Sequence, residues 1–130
     1  MGPEKRARIL LADDHADALA QAARVLGRHW DIAGTVSNGV ELVAVAARLD
    51  PDVIVLDIAM PLMDGFEAAR TLRQSGNRSR FVFLTVWDDD DYRAESERVG
   101  ADAYVVKSRL ASDLVAAVRT ALAHQGVQSP

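Results

Sequence analysis

Apolar residues along this chain fall into two alternating kinds of segment. The short runs "RILLA", "DIAGTV", "DVIVLD", "RFVFLTV" and "AYVVK" are rich in β-branched or bulky side chains and predict five strands. Three of them are nearly continuous apolar runs, the pattern of central strands covered on both faces. Longer segments with helical spacing lie between. Leu19, Ala22, Ala23 and Leu26 form one stripe, and Val40, Val43, Ala44 and Ala47 another. Leu110, Leu114, Val118 and Leu122 form a third, widened by Ala111 and Val115. Ser37 or Asn38 can cap the second helix and Pro51 ends it; Asp64 opens a third, Gly76 follows it, and Gly100 closes the fourth.

Alternating strands and helices imply parallel strands joined by right-handed crossovers, with helices on both faces of an α/β sheet. Such (βα)5 doubly wound sheets bind ligands outside the carboxyl ends of their strands, where the strand order reverses. The residues expected at those ends carry the candidate chemistry. Asp13 and Asp14 follow the first strand and Asp57 the third, Thr85 ends the fourth, and Lys107 ends the fifth. Each has an ordinary reading too. Asp13 and Asp14 could begin a loop and cap a helix. Lys107 could be a surface lysine, Thr85 and Tyr104 common strand residues. Acids, hydroxyl and ammonium on one rim are more specific than any of these alone.

Composition narrows the classes. A chain of 130 residues, 49% hydrophobic and 26% charged, is enough for one globular domain with a proper core. Without cysteine there is neither a disulfide framework nor a thiolate metal site. The net charge of -4 argues against direct nucleic-acid binding. No segment approaches membrane-spanning length, and the amino-terminal apolar run is too short for a signal-peptide core, so a cytoplasmic location is expected. His15, His29 and His124 lack paired spacing and offer no zinc site. The acids Asp88 to Asp91 suit the positive end of a helix dipole, and Trp30 and Trp87 suit packing.

The motifs "LLADDH", "VIVLDIAMPLMDG", "FLTVW" and "GADAYVVKS" together resemble the receiver domain of bacterial two-component response regulators. The resemblance covers about residues 7 to 124, leaving 125–130 as a tail or the start of a linker. It implies a flavodoxin-like sheet of strand order 2-1-3-4-5, which sets the first and third strands side by side. Asp13, Asp14 and Asp57 would then converge, and a divalent cation would offset their charge. Oxygen ligands without a dedicated cage point to Mg²⁺. By the resemblance, one of Asp13 and Asp14, with Asp14 preferred, binds it directly and the other through water. Asp57 and the backbone carbonyl of Ala59 complete the set.

The same resemblance implies the mechanism. Asp57 takes a phosphoryl group from a sensor histidine kinase, with Lys107 and Thr85 contacting the phosphoryl oxygens. Thr85 then draws its loop inward, and Tyr104 turns from exposed to buried as the switch aromatic. The chain would be a signalling domain catalysing only its own phosphorylation and dephosphorylation, with homodimerisation left open. The stretch "KSRLASDLVAAVRTAL" is similar to receivers that precede LuxR-type helix-turn-helix domains, which implies transcriptional output.

Two departures stand out. The position after the switch Thr is usually small in receivers; here it is Val86, followed by Trp87, which would crowd access to the site. Ser108 stands where many receivers have a cis proline, so a trans peptide is expected. Two rivals remain. An aspartyl phosphohydrolase would carry a second acid two positions after its nucleophile, where this chain has Ala59. A receiver fold kept only for protein contacts would need no phosphate. A nucleotide or flavin site is disfavoured, since no Gly-rich loop follows the first strand.

Overall fold

The computed structural model describes residues 6–124. Five strands, β1 (Arg8–Ala12), β2 (Asp31–Val36), β3 (Val53–Leu56), β4 (Arg80–Thr85) and β5 (Ala103–Val106), alternate with five helices. These are α1 (Ala16–Leu26), α2 (Gly39–Leu49), α3 (Gly65–Gln74), α4 (Asp90–Arg98) and α5 (Leu110–Ala123). A 3-10 turn, Lys107–Arg109, joins β5 to α5. All strand pairs are parallel, in the order β2-β1-β3-β4-β5. The sheet is thus the doubly wound one the alternation predicts. The expected tail, 125–130, lies outside the described residues.

The continuous apolar runs have a simple cause. Successive strand side chains point to opposite faces, and here each face has its own core. Leu10, Ile54, Leu56, Phe81 and Phe83 pack with Leu42, Ala46, Phe66 and Leu72 on one side. Ile9, Leu11, Val53, Val55, Val82 and Leu84 pack with Leu26, Leu114 and Val118 on the other. A polar residue within β3 would lose its water on either face. Truncating a fully buried residue such as Phe83 to Ala should cost about 3–5 kcal/mol through lost contacts and the cavity left behind.

Helix ends follow their sequence signals. Asn38 caps α2 by accepting from the Glu41 amide at 2.8 Å, and Asp64 does the same for α3 from Glu67 at 2.8 Å. Asp89 caps α4, accepting from the amides of Asp91 and Tyr92, while Asp88 pairs with Arg93. Gly100 (φ 88°) follows α4 in the left-handed region that favours glycine. Trp30 packs against the α1/α5 core. The peptide before Ser108 is trans, as expected.

Two apolar stripes need correction. In α2 the buried face is Gly39, Leu42 and Ala46, flanked by Val43 and Leu49; Val40, Ala44 and Ala47 face solvent. Almost every residue from Val40 to Leu49 is apolar, so several rotations of the helix carry a plausible stripe. Tertiary contact selects one: a Cβ at Gly39 would collide with the Met63 carbonyl. In α5, Ala111 is exposed and does not widen the buried face, which runs through Leu110, Leu114, Val118 and Ala121. Ala111 stands about 100° around the helix from Leu110, which turns it off that face.

Candidate functional site

Strand register brings the acids together. β1 and β3 pair from Ile9 with Val53 to Ala12 with Leu56, so the next residues, Asp13 and Asp57, leave the sheet side by side. The Asp57 amide still donates to the Ala12 carbonyl at 3.0 Å, and the Asp13 amide to Val36 at 3.0 Å. Both carboxylates are buried, at 5% and 2% exposure, whereas Asp14 beside them is exposed. The loop after β3 holds Asp57 in place. Gly65 donates its amide to the Ile58 carbonyl at 2.8 Å, and a Cβ on Gly65 would fall on the Asp57 carbonyl oxygen. This close approach is the physical reason for glycine at the end of "MPLMDG".

Two buried carboxylates need compensation, because desolvating unpaired charges is costly. Lys107, from the turn after β5, supplies it. Its ammonium donates to Asp13 Oδ2 at 2.8 Å and to Asp57 Oδ2 at 2.9 Å. Burial by itself lowers the lysine pKa, but the hydrogen bonds to Asp13 and Asp57 outweigh it and carry it above the ordinary value. The second Asp57 oxygen, Oδ1, accepts from the Ile58 amide at 2.7 Å. Lys107 therefore holds Asp57 by one oxygen and the backbone by the other.

His15 is the residue that sequence reasoning missed. Its Nδ1 lies 3.3 Å from Asp13 Oδ1, 3.5 Å from Asp14 Oδ1, 3.8 Å from Asp57 Oδ2 and 3.2 Å from Lys107 Nζ. Ligand atoms of Asp13, Asp14, His15 and Asp57 all fall within 4.8 Å of one another. Its signal was its place directly after "DD". Pairing rules for zinc histidines could not detect a histidine whose partners are carboxylates on two strands. The donor set fits a divalent cation. It is mainly carboxylate oxygen, it converges from two strands, and it already attracts an ammonium.

The family of receiver domains of response regulators matches residues 9–119. This chain belongs to that family. The receiver is 34% identical over 99% of its length to the nitrate/nitrite response regulator protein NarL of Escherichia coli K12. It is 33% identical over 88% of its length to the uncharacterized transcriptional regulatory protein YxjL of Bacillus subtilis. It spans 61% and 53% of those two proteins, so it corresponds to part of each. A two-component response regulator of the LuxR family from Aurantimonas superposes with a TM-score of 0.86 at 28% identity, covering 92% of this chain and 86% of that one.

The remaining receiver positions lie around the β4–α4 loop. Thr85 is fully buried, and its Oγ1 accepts from the Trp87 amide at 3.5 Å. Tyr104, on β5, is partly buried against the α2/α3 core and donates its hydroxyl to the Trp87 carbonyl at 2.6 Å. The Arg93 guanidinium covers its ring at 4.6 Å, and burial pushes the phenol up to about 12. Val86 and Trp87 are 57% and 45% exposed, with the Trp87 ring 5.7 Å from Tyr92. Ala59 is exposed in the loop just past Asp57. Among the described residues, no helix is long and apolar enough to cross a membrane.

Proposed function

We propose that this receiver, about residues 7 to 124, is a phosphorylation-driven switch in a two-component pathway, acting in the cytoplasm to control transcription through an output module. One observation carries the reading. Asp57 is buried at a strand end beside Asp13, with Lys107 bridging both at 2.8 and 2.9 Å.

In this reading an Asp57 carboxylate oxygen attacks the phosphorus of a phosphohistidine on the sensor kinase. The P–N bond breaks, the imidazole keeps the electron pair, and Asp57 becomes an acyl phosphate. Such transfer needs positioning and charge neutralisation more than covalent help from the protein. Asp13, Asp14, Asp57 and the Ala59 carbonyl would hold Mg²⁺, which when bound neutralises charge on the phosphoryl oxygens. Lys107, already hydrogen-bonded to Asp57 Oδ2, supplies a second positive contact. The Thr85 hydroxyl donates to a phosphoryl oxygen and in doing so shifts the loop that carries Trp87. Tyr104, tied to that loop through the Trp87 carbonyl, reports the shift to the surface around α4 and β5.

The test is intact mass after incubation with Mg²⁺ and acetyl phosphate, beside Asp57→Asn. One phosphoryl group gained by the native chain and none by the variant supports the reading. No gain from either acetyl phosphate or an active histidine kinase would favour a docking domain that works without phosphate.

A further inference from the structure

His15 places a nitrogen donor in what is otherwise an oxygen site. Asp13 comes from the end of β1, Asp57 from the end of β3, and His15 sits at the cap position of α1. Its side chain makes no capping hydrogen bond there. The ring turns instead toward the acids, and its Nδ1 has the Lys107 ammonium as its shortest polar contact, at 3.2 Å. An ammonium has only hydrogens to offer. Nδ1 also stands 3.3 Å from Asp13 Oδ1, and its role toward each partner follows the tautomer. In the neutral ring protonated at Nε2, its lone pair is directed into the cluster, the form in which imidazole binds metals.

The spacing agrees. Donor atoms that share one small cation at about 2.1 Å stand about 3 Å apart when adjacent and about 4 Å apart when opposite. The distances from His15 Nδ1 to Asp13 Oδ1, Asp14 Oδ1 and Asp57 Oδ2 are 3.3, 3.5 and 3.8 Å, inside that span. The imidazole is largely solvent-exposed, with 61% of its side-chain surface accessible, so it can adjust without disturbing the core.

We infer that His15 is a direct nitrogen ligand of the cation site, and that it shifts the site's preference from Mg²⁺ toward borderline first-row divalent ions such as Mn²⁺. Oxygen ligands suit Mg²⁺ and Mn²⁺ alike, whereas imidazole favours the transition metals. The inference rests on the proposed cation site and adds a ligand and a selectivity to it.

The experiment uses the full chain with Mn²⁺ or Mg²⁺ alone. Pulsed electron paramagnetic resonance of the Mn²⁺ form should show coupling to one ¹⁴N nucleus, lost in His15→Phe. Calorimetry should show the same substitution weakening Mn²⁺ by about tenfold or more, as losses around a metal commonly do. Mg²⁺ binding should fall by less than about threefold. Binding of both ions without nitrogen coupling, or coupling that survives His15→Phe, would overturn the inference and leave the cation site standing. Failure of the native chain to bind either ion would overturn the cation site and this inference together.

Discussion

Lys107 and Asp57 are fifty positions apart in the chain, yet their side chains meet at 2.9 Å. The same ammonium reaches Asp13 at 2.8 Å, so one cation on the β5 side holds the ends of β1 and β3 together. This bridge neutralises two buried carboxylates at once and so stabilises the rim.

Removing the bridge strands two buried carboxylates. Lys107→Met should destabilise the fold by about 3 kcal/mol in buffer without divalent ions, the cost of breaking a buried pair from one side. Chemical denaturation with and without Mg²⁺ checks this. Added Mg²⁺ should recover more stability in the variant than in the native chain.

Gly65 approaches Asp57 too closely for any side chain. Gly65→Ala should cost about 1–3 kcal/mol by overpacking. Displacing the acceptor by about 1 Å should also slow acyl-phosphate formation by about a hundredfold. Denaturation midpoints and the acetyl phosphate assay measure the two effects separately. A stable variant with native phosphorylation would refute the packing argument.

Alkaline titration should expose the β4–α4 clamp. Burial raises Tyr104 from an ordinary 10.0 to about 12, so folding favours its protonated form. That contribution is complete below pH 10 and is lost as pH rises toward about 12. Lys107, also raised, acts in the same direction above its ordinary 10.5. In Tyr92→Phe, where Tyr104 is the remaining tyrosine, phenolate absorbance should appear with a midpoint near 12. A midpoint near 10 would show that the ring is not held against the loop.

Leu62 adopts φ 72° while 79% exposed, so it bears left-handed strain without burial in return. That conformation costs a non-glycine residue about 1–2 kcal/mol. Glycine would relieve it, less about 0.5–1 kcal/mol for a freer unfolded chain. Leu62→Gly should therefore stabilise slightly, by about 0.5 kcal/mol, in equilibrium unfolding. A fall in stability would mean that Leu62 makes contacts outweighing its strain.

Val86 directly follows the buried Thr85 and is 57% exposed. Val86→Ala should leave stability within about 0.5 kcal/mol, as surface changes do. Lowering the access barrier by about 1 kcal/mol would speed acetyl phosphate transfer about fivefold. Single-turnover rates decide this, and unchanged rates would end the crowding idea.

Much of this was legible in the sequence, because its signals are local. Burial on both faces of a parallel sheet demands uninterrupted apolar runs, so β3 and β4 announce themselves as "VIVL" and "RFVFLT". Acids directly after "RILLA" and "DVIVL" mark strand ends because a buried strand cannot hold them. Asn38 and Asp64 show where helices start because a cap acts within three residues. Other features depended on contacts between distant segments. The strand order came from the family motifs, and the β1–β3 register that seats Asp13 beside Asp57 exists only once the sheet is assembled. The rotation of α2 is selected by the approach of Gly39 to Met63, since its own apolar residues allow several. His15 looked idle because, beyond the adjacent Asp13 and Asp14, its neighbours in space are Asp57 and Lys107, the latter ninety-two positions away. Local chemistry determined the strands, the caps and the acids; the folded sheet decided which of those groups share one electrostatic site.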